Sequence, residues 1–79
     1  METFIKKYWD EEDILFYLHF NDEEAARQIE ITKSGKVFLS QENPFSGEAF
    51  LYDQSLSDFD FDQDDIISKE EFEIAWNSK

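Results

Sequence analysis

The chain has 79 residues, no cysteine, and 20 acids against seven bases for a net charge of −13. That length holds one domain. The missing thiols exclude disulfide staples and thiolate chemistry, and the charge argues against direct binding to nucleic acid or an anionic membrane. No apolar run approaches the ~20 residues that cross a bilayer. The start of the chain shows no signal-peptide pattern, which points to the cytoplasm.

Nine Phe, three Tyr and two Trp give a short chain a large apolar area per residue. So many aromatics also speak against disorder. A charge of this size exceeds what solubility needs in a small domain. It suits a basic partner or a cation.

Thr3 to Trp9 reads as a strand, with Phe4 and Tyr8 on one face and Ile5 and Trp9 on the other. Asp10, Glu11, Glu12 and Asp13 form an acidic turn. Ile14, Phe16, Leu18 and Phe20 alternate with Leu15, Tyr17 and His19, which predicts a strand that is apolar on both faces. Such a strand is central, or has a helix packed behind it. His19 is the single histidine. Beside aromatics, it is expected to be a partly buried core residue with one hydrogen bond.

Asn21 to Glu24 reads as a turn. Residues Ala25 to Thr32 alternate again, with Arg27, Ile29 and Ile31 opposed to Gln28, Glu30 and Thr32. A hairpin turn follows at Lys33-Ser34-Gly35-Lys36, with Gly35 at the left-handed position. Val37-Phe38-Leu39 makes the return strand. Gln41 to Glu48 carries the one proline and the second glycine and reads as a loop. Ala49 to Leu56 fits a short strand or a helical turn equally.

The last helix has explicit start signals. Ser68 is the N-cap candidate and Glu71 stands three residues later, as a capping box requires. Ile67 and Phe72 are spaced for a hydrophobic staple. Glu70 and Glu71 suit the positive end of the helix dipole. Phe72, Ala75 and Trp76 then share one face, which would lie on the sheet.

Half of the acids fall within residues 48–73, where Lys69 is the one base. Read from Asp60, this stretch gives D-x-D-x-D-D-x-I-S-x-x-E-F. Asp60, Asp62, Asp64, the carbonyl of Ile66, Ser68 and Glu71 would fill the six ligand positions of an EF-hand calcium loop. Leu56 and Phe59 would belong to the helix entering it. The position that needs a sharp left-handed turn is Asp65 rather than glycine, and nothing before residue 48 supplies a second hand. No metal or other cofactor is therefore expected.

A wider resemblance rests on Arg27-Gln28-Ile29-Glu30-Ile31, on Gly35-Lys36-Val37, and on the tail from Ile67 to Trp76. With an aromatic first strand bearing Trp9 and an acidic turn after it, the chain is similar to a family of small acidic bacterial proteins of unassigned activity. Some of these sit beside toxin genes and look like immunity proteins. The resemblance spans most of the chain and departs from the pattern at residues 41–56. It implies an α+β domain, a small antiparallel sheet of three to five strands with one C-terminal helix packed on it. It implies no catalytic residues.

The residues themselves offer no general acid–base constellation and no glycine-rich phosphate loop. The reading is a non-enzymatic inhibitor or immunity protein that occludes a basic site on a protein partner, first of all a nuclease toxin. Such sites are lined by Lys and Arg because they hold phosphates. Asp58, Asp60, Asp62, Asp64 and Asp65 are the first candidate contact residues. Asp10, Glu11, Glu12 and Asp13 form a second patch. Exposed members of Phe59, Phe61 and Tyr52 would be the aromatic anchors. A phage-encoded nucleic-acid mimic that blocks a host defence complex is an alternative with the same electrostatics. An EF-hand-like calcium binder is a third.

Overall fold

Alternation of apolar side chains produces four long strands in succession. In the computed structural model, which describes residues 1–78, these are β1 (Glu2–Trp9), β2 (Ile14–Asn21), β3 (Glu24–Thr32) and β4 (Gly35–Ser40). They form an antiparallel meander. A two-residue strand, the seventh in chain order (β7, Ile66–Ile67), completes the sheet on the far side of β1, for an order β4-β3-β2-β1-β7. The expected α+β architecture is present, with one helix, α1, at Lys69–Trp76.

Turn chemistry explains the tight connections. Gly35 has φ 134 and opens β4. Asp13 and Asp22 hold φ 54 and 56, the first closing the β1–β2 turn and the second opening the β2–β3 turn. Aspartate enters this left-handed region at lower cost than most residues because its short side chain can bond locally. Residues 41–48, read as a loop, contain one arm of a small hairpin. Here β5 (Phe45–Ser46) pairs with β6 (Ala49–Phe50) around Gly47, at φ 61. Glycine is needed there because a two-residue hairpin turn demands positive φ.

Past β6 the chain has no regular strand until β7 (Ile66–Ile67), which pairs with Phe4 and Ile5. Two single 3-10 turns, Leu56–Asp58 and Gln63–Asp65, lie between.

The two faces of the sheet are covered differently. On one face, Phe4 and Ile29 bury against Phe72 of α1, with Tyr17, Ile31, Phe38 and Trp76 around them. On the other, Ile5, Leu18, Phe20 and Ala25 are buried under Leu51, Tyr52, Leu56, Phe59 and Phe61. The result is three layers: helix, sheet, and an irregular aromatic segment. Strand β2 is central and apolar on both faces, as its composition predicts.

The irregular layer needs anchors for its backbone polar groups. Gln28 supplies them. Its Oε1 accepts from the Tyr52 amide at 2.8 Å, and its Nε2 donates to the Phe50 carbonyl at 3.2 Å. Its Nε2 also reaches Glu30 at 2.8 Å. A buried amide is tolerated here because both of its ends are satisfied.

The start of α1 forms half of the expected box. Ser68 Oγ accepts from the Glu71 amide at 3.1 Å. The Glu71 carboxylate turns instead toward Lys6 Nζ, 3.9 Å away. Ile67 packs on the cluster that holds Phe72, as the staple requires. Among the described residues, no helix is long and apolar enough to cross a membrane.

Candidate functional site

Both acidic segments adjoin the second half of β1: residues 10–13 continue from its end, and Asp60 and Asp65 are tied to Lys7. Ile66 pairs with Ile5, so the residues before it run beside Lys6 and Lys7. Lys7 fixes them there: its Nζ donates to the Asp60 carbonyl at 2.6 Å and lies 3.8 Å from Asp65 Oδ2. Asp10 follows Lys7 by three residues, about 10 Å along a strand that rises ~3.3 Å per residue. That is about one Debye length at 0.1 M salt. Below that salt the fields of residues 10–13 and of the segment tied to Lys7 overlap, and above it they are screened from each other.

Asp58, Asp60, Asp62 and Asp64 are exposed, and Asp65 is half-buried. The last is held internally, its Oδ2 accepting from the Asp62 amide at 2.9 Å. Asp58 accepts from Ser55 Oγ at 2.9 Å. Asp10, Glu11, Glu12 and Asp13 are all exposed. Asp13 is the most engaged of them, accepting from the Tyr8 hydroxyl and lying 3.8 Å from Lys33 Nζ. The other members of both patches are open to a partner.

The aromatic candidates are placed otherwise. Tyr52, Phe59 and Phe61 are half-buried against the Ile5–Leu18–Phe20 cluster. Phe20 meets Tyr52 edge-on at 5.9 Å, and Phe59 and Phe61 stack at 5.9 Å. Their area is already used inside the fold. The large apolar side chains left open are others, among them Trp9, Phe45 and Phe50. Nothing in the residue pattern singles these out, because an exposed aromatic and a buried one look alike in a strand.

The arrangement of residues 60–71 differs from a calcium loop. The entering segment is one 3-10 turn, not a helix. Asp65 closes a second 3-10 turn and is not among the residues at positive φ, Asp13 and Asp22, so the sharp left-handed turn of that loop is not made. The Lys7 ammonium bonds the backbone of Asp60, while Ser68 and Glu71 are engaged at the helix start. Among the described residues, no three acidic or histidine side chains converge as a cation site.

A second cluster of titratable groups lies under α1. His19 Nε2 is 2.8 Å from Glu2 Oε2, and Arg27 Nε donates to His19 Nδ1 at 3.0 Å. Because Nδ1 accepts, the ring proton sits on Nε2 and is donated to Glu2. Arg27 also grips Glu73 with both terminal nitrogens, at 3.1 and 2.6 Å. Its guanidinium lies 4.8 Å from the Phe72 ring centre and 5.1 Å from that of Trp76.

Burial, and then the adjacent Arg27, hold the imidazole below its ordinary pKa, against the upward pull of the Glu2 bond. Arg27 in turn holds Glu73 below the usual carboxylate range. Both ring nitrogens of His19 are committed, so neither is free to take a proton from a substrate. The cluster joins β1, β2, β3 and α1. The sequence predicts one hydrogen bond for His19, and the structure shows two, the second from Arg27. The signal was present, since both residues sit on the helix-facing side of adjacent strands and pair directly across them.

Comparison of the chain with protein-family models, with curated proteins and with solved structures finds no match.

Proposed function

We propose that the protein is a non-enzymatic acidic inhibitor, of the immunity-protein kind, that occludes a basic site on a protein partner, a nuclease toxin first of all. The observation that carries this reading is that two acidic segments adjoin the second half of β1, with most of their carboxylates exposed. A field of one sign over a compact surface steers a basic partner and speeds its capture. Speed matters to an antidote, which must act before the toxin does.

The His19 cluster is consistent with a binding role, because its groups are spent on holding the helix to the sheet. Affinity capture from the source cells, followed by nuclease assay of the captured protein with and without the chain, tests the reading. The expected result is a basic nuclease silenced at one-to-one stoichiometry. A captured partner that is not basic, or that binds the Asp60→Asn, Asp62→Asn, Asp64→Asn triple variant as tightly as the parent, would overturn it.

A further inference from the structure

The irregular aromatic layer covers only part of its face of the sheet. Beyond Tyr52 and Phe59 the sheet lies open as a groove of about 580 Å³, floored by Trp9, Ile14, Phe16 and Glu30 and bordered by Phe50. This volume lies within the ~300–1,000 Å³ of ordinary ligand clefts. Strand register sets the floor. Lys7 stands opposite Phe16, and Phe16 opposite Glu30, so one cross-strand row runs cation, aromatic ring, carboxylate.

The two charged ends of that row differ. Lys7 is taken by Asp60 and Asp65 at the rim. Glu30 accepts from the neutral Gln28 amide, and no base among the described residues pairs with it. Burial pushes the Glu30 carboxyl above its ordinary pKa. Glu48 and Asp60 add further acid around the opening. A second copy of this chain would bring like charge to like, which destabilises a contact. The surroundings call for an occupant that is apolar in its centre and positive at its edges.

We propose that this groove receives an apolar side chain of a basic protein partner, and that a Lys or Arg beside it in the partner's chain pairs with Glu30. The inference rests on the basic-partner reading above and adds where the anchor of that interface sits. Interfaces concentrate their affinity in a desolvated apolar centre ringed by polar contacts, and the exposed acidic patches lack such a centre. Trp9, on the groove floor, runs directly into the acidic turn at residues 10–13.

The probe is the peptide acetyl-Lys-Trp-Lys-amide, titrated against the labelled protein by amide and indole NMR. Acetyl-Glu-Trp-Glu-amide and acetyl-Lys-Ser-Lys-amide serve as controls. Saturable shifts confined to Trp9, Phe16, Glu30 and Phe50 are expected, with a dissociation constant of about 1 mM for so small a ligand. Both controls should bind at least ~10-fold more weakly. Glu30→Gln keeps a partner for Gln28 and should weaken the probe about tenfold. Phe50→Ser, at an exposed position, should do the same with the melting curve unchanged.

Absent shifts in the groove, equal binding of the acidic control, or indifference to both variants would overturn the proposal. Against the full partner the two readings separate. Loss of affinity in the Asp60→Asn, Asp62→Asn, Asp64→Asn variant alone defeats the groove and keeps acidic occlusion. Loss in Glu30→Gln and Phe50→Ser alone supports the groove and defeats occlusion by the acidic loop.

Discussion

Arg27 shows how one side chain can hold two strands and a helix together. Its guanidinium faces His19, the Glu73 carboxylate and two aromatic rings, and a planar fork meets all of these where a lysine meets one. Arg27→Lys should therefore cost about 1.5–3 kcal/mol, the range for hydrogen bonds to charged groups, in urea unfolding at pH 7. An unchanged midpoint would show that the cluster is ornamental. His19 adds a pH signature. Its folded pKa lies below the unfolded value of 6.5, so the unfolded chain binds the extra proton first. The sign follows from linkage: stability is fully present above pH ~6.5 and declines as pH falls toward the folded pKa. The groups facing the ring are Glu2 and Arg27, with Glu73 behind Arg27. Arg27 holds the Glu73 carboxyl below the usual carboxylate range, so it stays charged across this window. Urea midpoints between pH 7.5 and 5.5 should fall for the parent and stay nearly flat for His19→Gln. A parent that is level across that window would place the imidazole in water rather than under the helix.

At the scale of elements, the four-strand meander was legible because apolar alternation, a Lys33–Gly35 turn and an acidic turn agree with one another. The helix was legible from Ser68 and Phe72. What the sequence hid were pairings of two residues, β5 with β6 and β7 with β1. These are too short for any periodicity to register, and tertiary contacts decide them. The bulge between His19 and Phe20 was hidden for the same reason. It shifts the register so that Ala25 stands opposite Phe20 and shares its buried face. The groove was invisible because its walls come from β1, β2, β3 and the 48–60 segment. One clue was available: Glu30 sits in a row with apolar neighbours on β2. The acidic patches were legible in identity, while the docking of residues 60–65 on Lys7 depends on β7. Packing now orders the helix variants. Phe72 is fully buried, and Phe72→Ala should cost about 3–5 kcal/mol. Trp76 is half-buried, so Trp76→Ala should cost less, about 1.5–3 kcal/mol. Ser68→Ala removes one cap bond, worth about 1 kcal/mol. Denaturant melts of the three should rank in that order, and a Ser68→Ala loss equal to that of Phe72→Ala would mean the helix hangs on its cap instead of its face.

Over the whole molecule, a net charge of −13 sets folding and binding against each other. Like charges crowd together when the chain compacts, so the acids raise the energy of the folded state while they steer a basic partner toward it. Exchanging Asp60, Asp62 and Asp64 for Asn keeps their size and moves the net charge from −13 to −10. All three are exposed. Lys7 bonds the Asp60 backbone and the Asp65 carboxylate, and neither is altered, so the segment keeps its anchor. The triple variant should melt at the same temperature as the parent or slightly higher in low salt. The difference should shrink at 1 M salt, where the Debye length falls to ~3 Å. Partner binding should change in the opposite sense. Rim charges act mainly on association, so the variant should associate more slowly at 0.1 M salt and converge on the parent at 1 M, with dissociation little changed. Stopped-flow association at both salts, with thermal melts alongside, measures the two effects on the same proteins. Equal association rates at 0.1 M in a folded variant would take the acidic loop out of the encounter. The groove beside it would then be left to account for recognition alone.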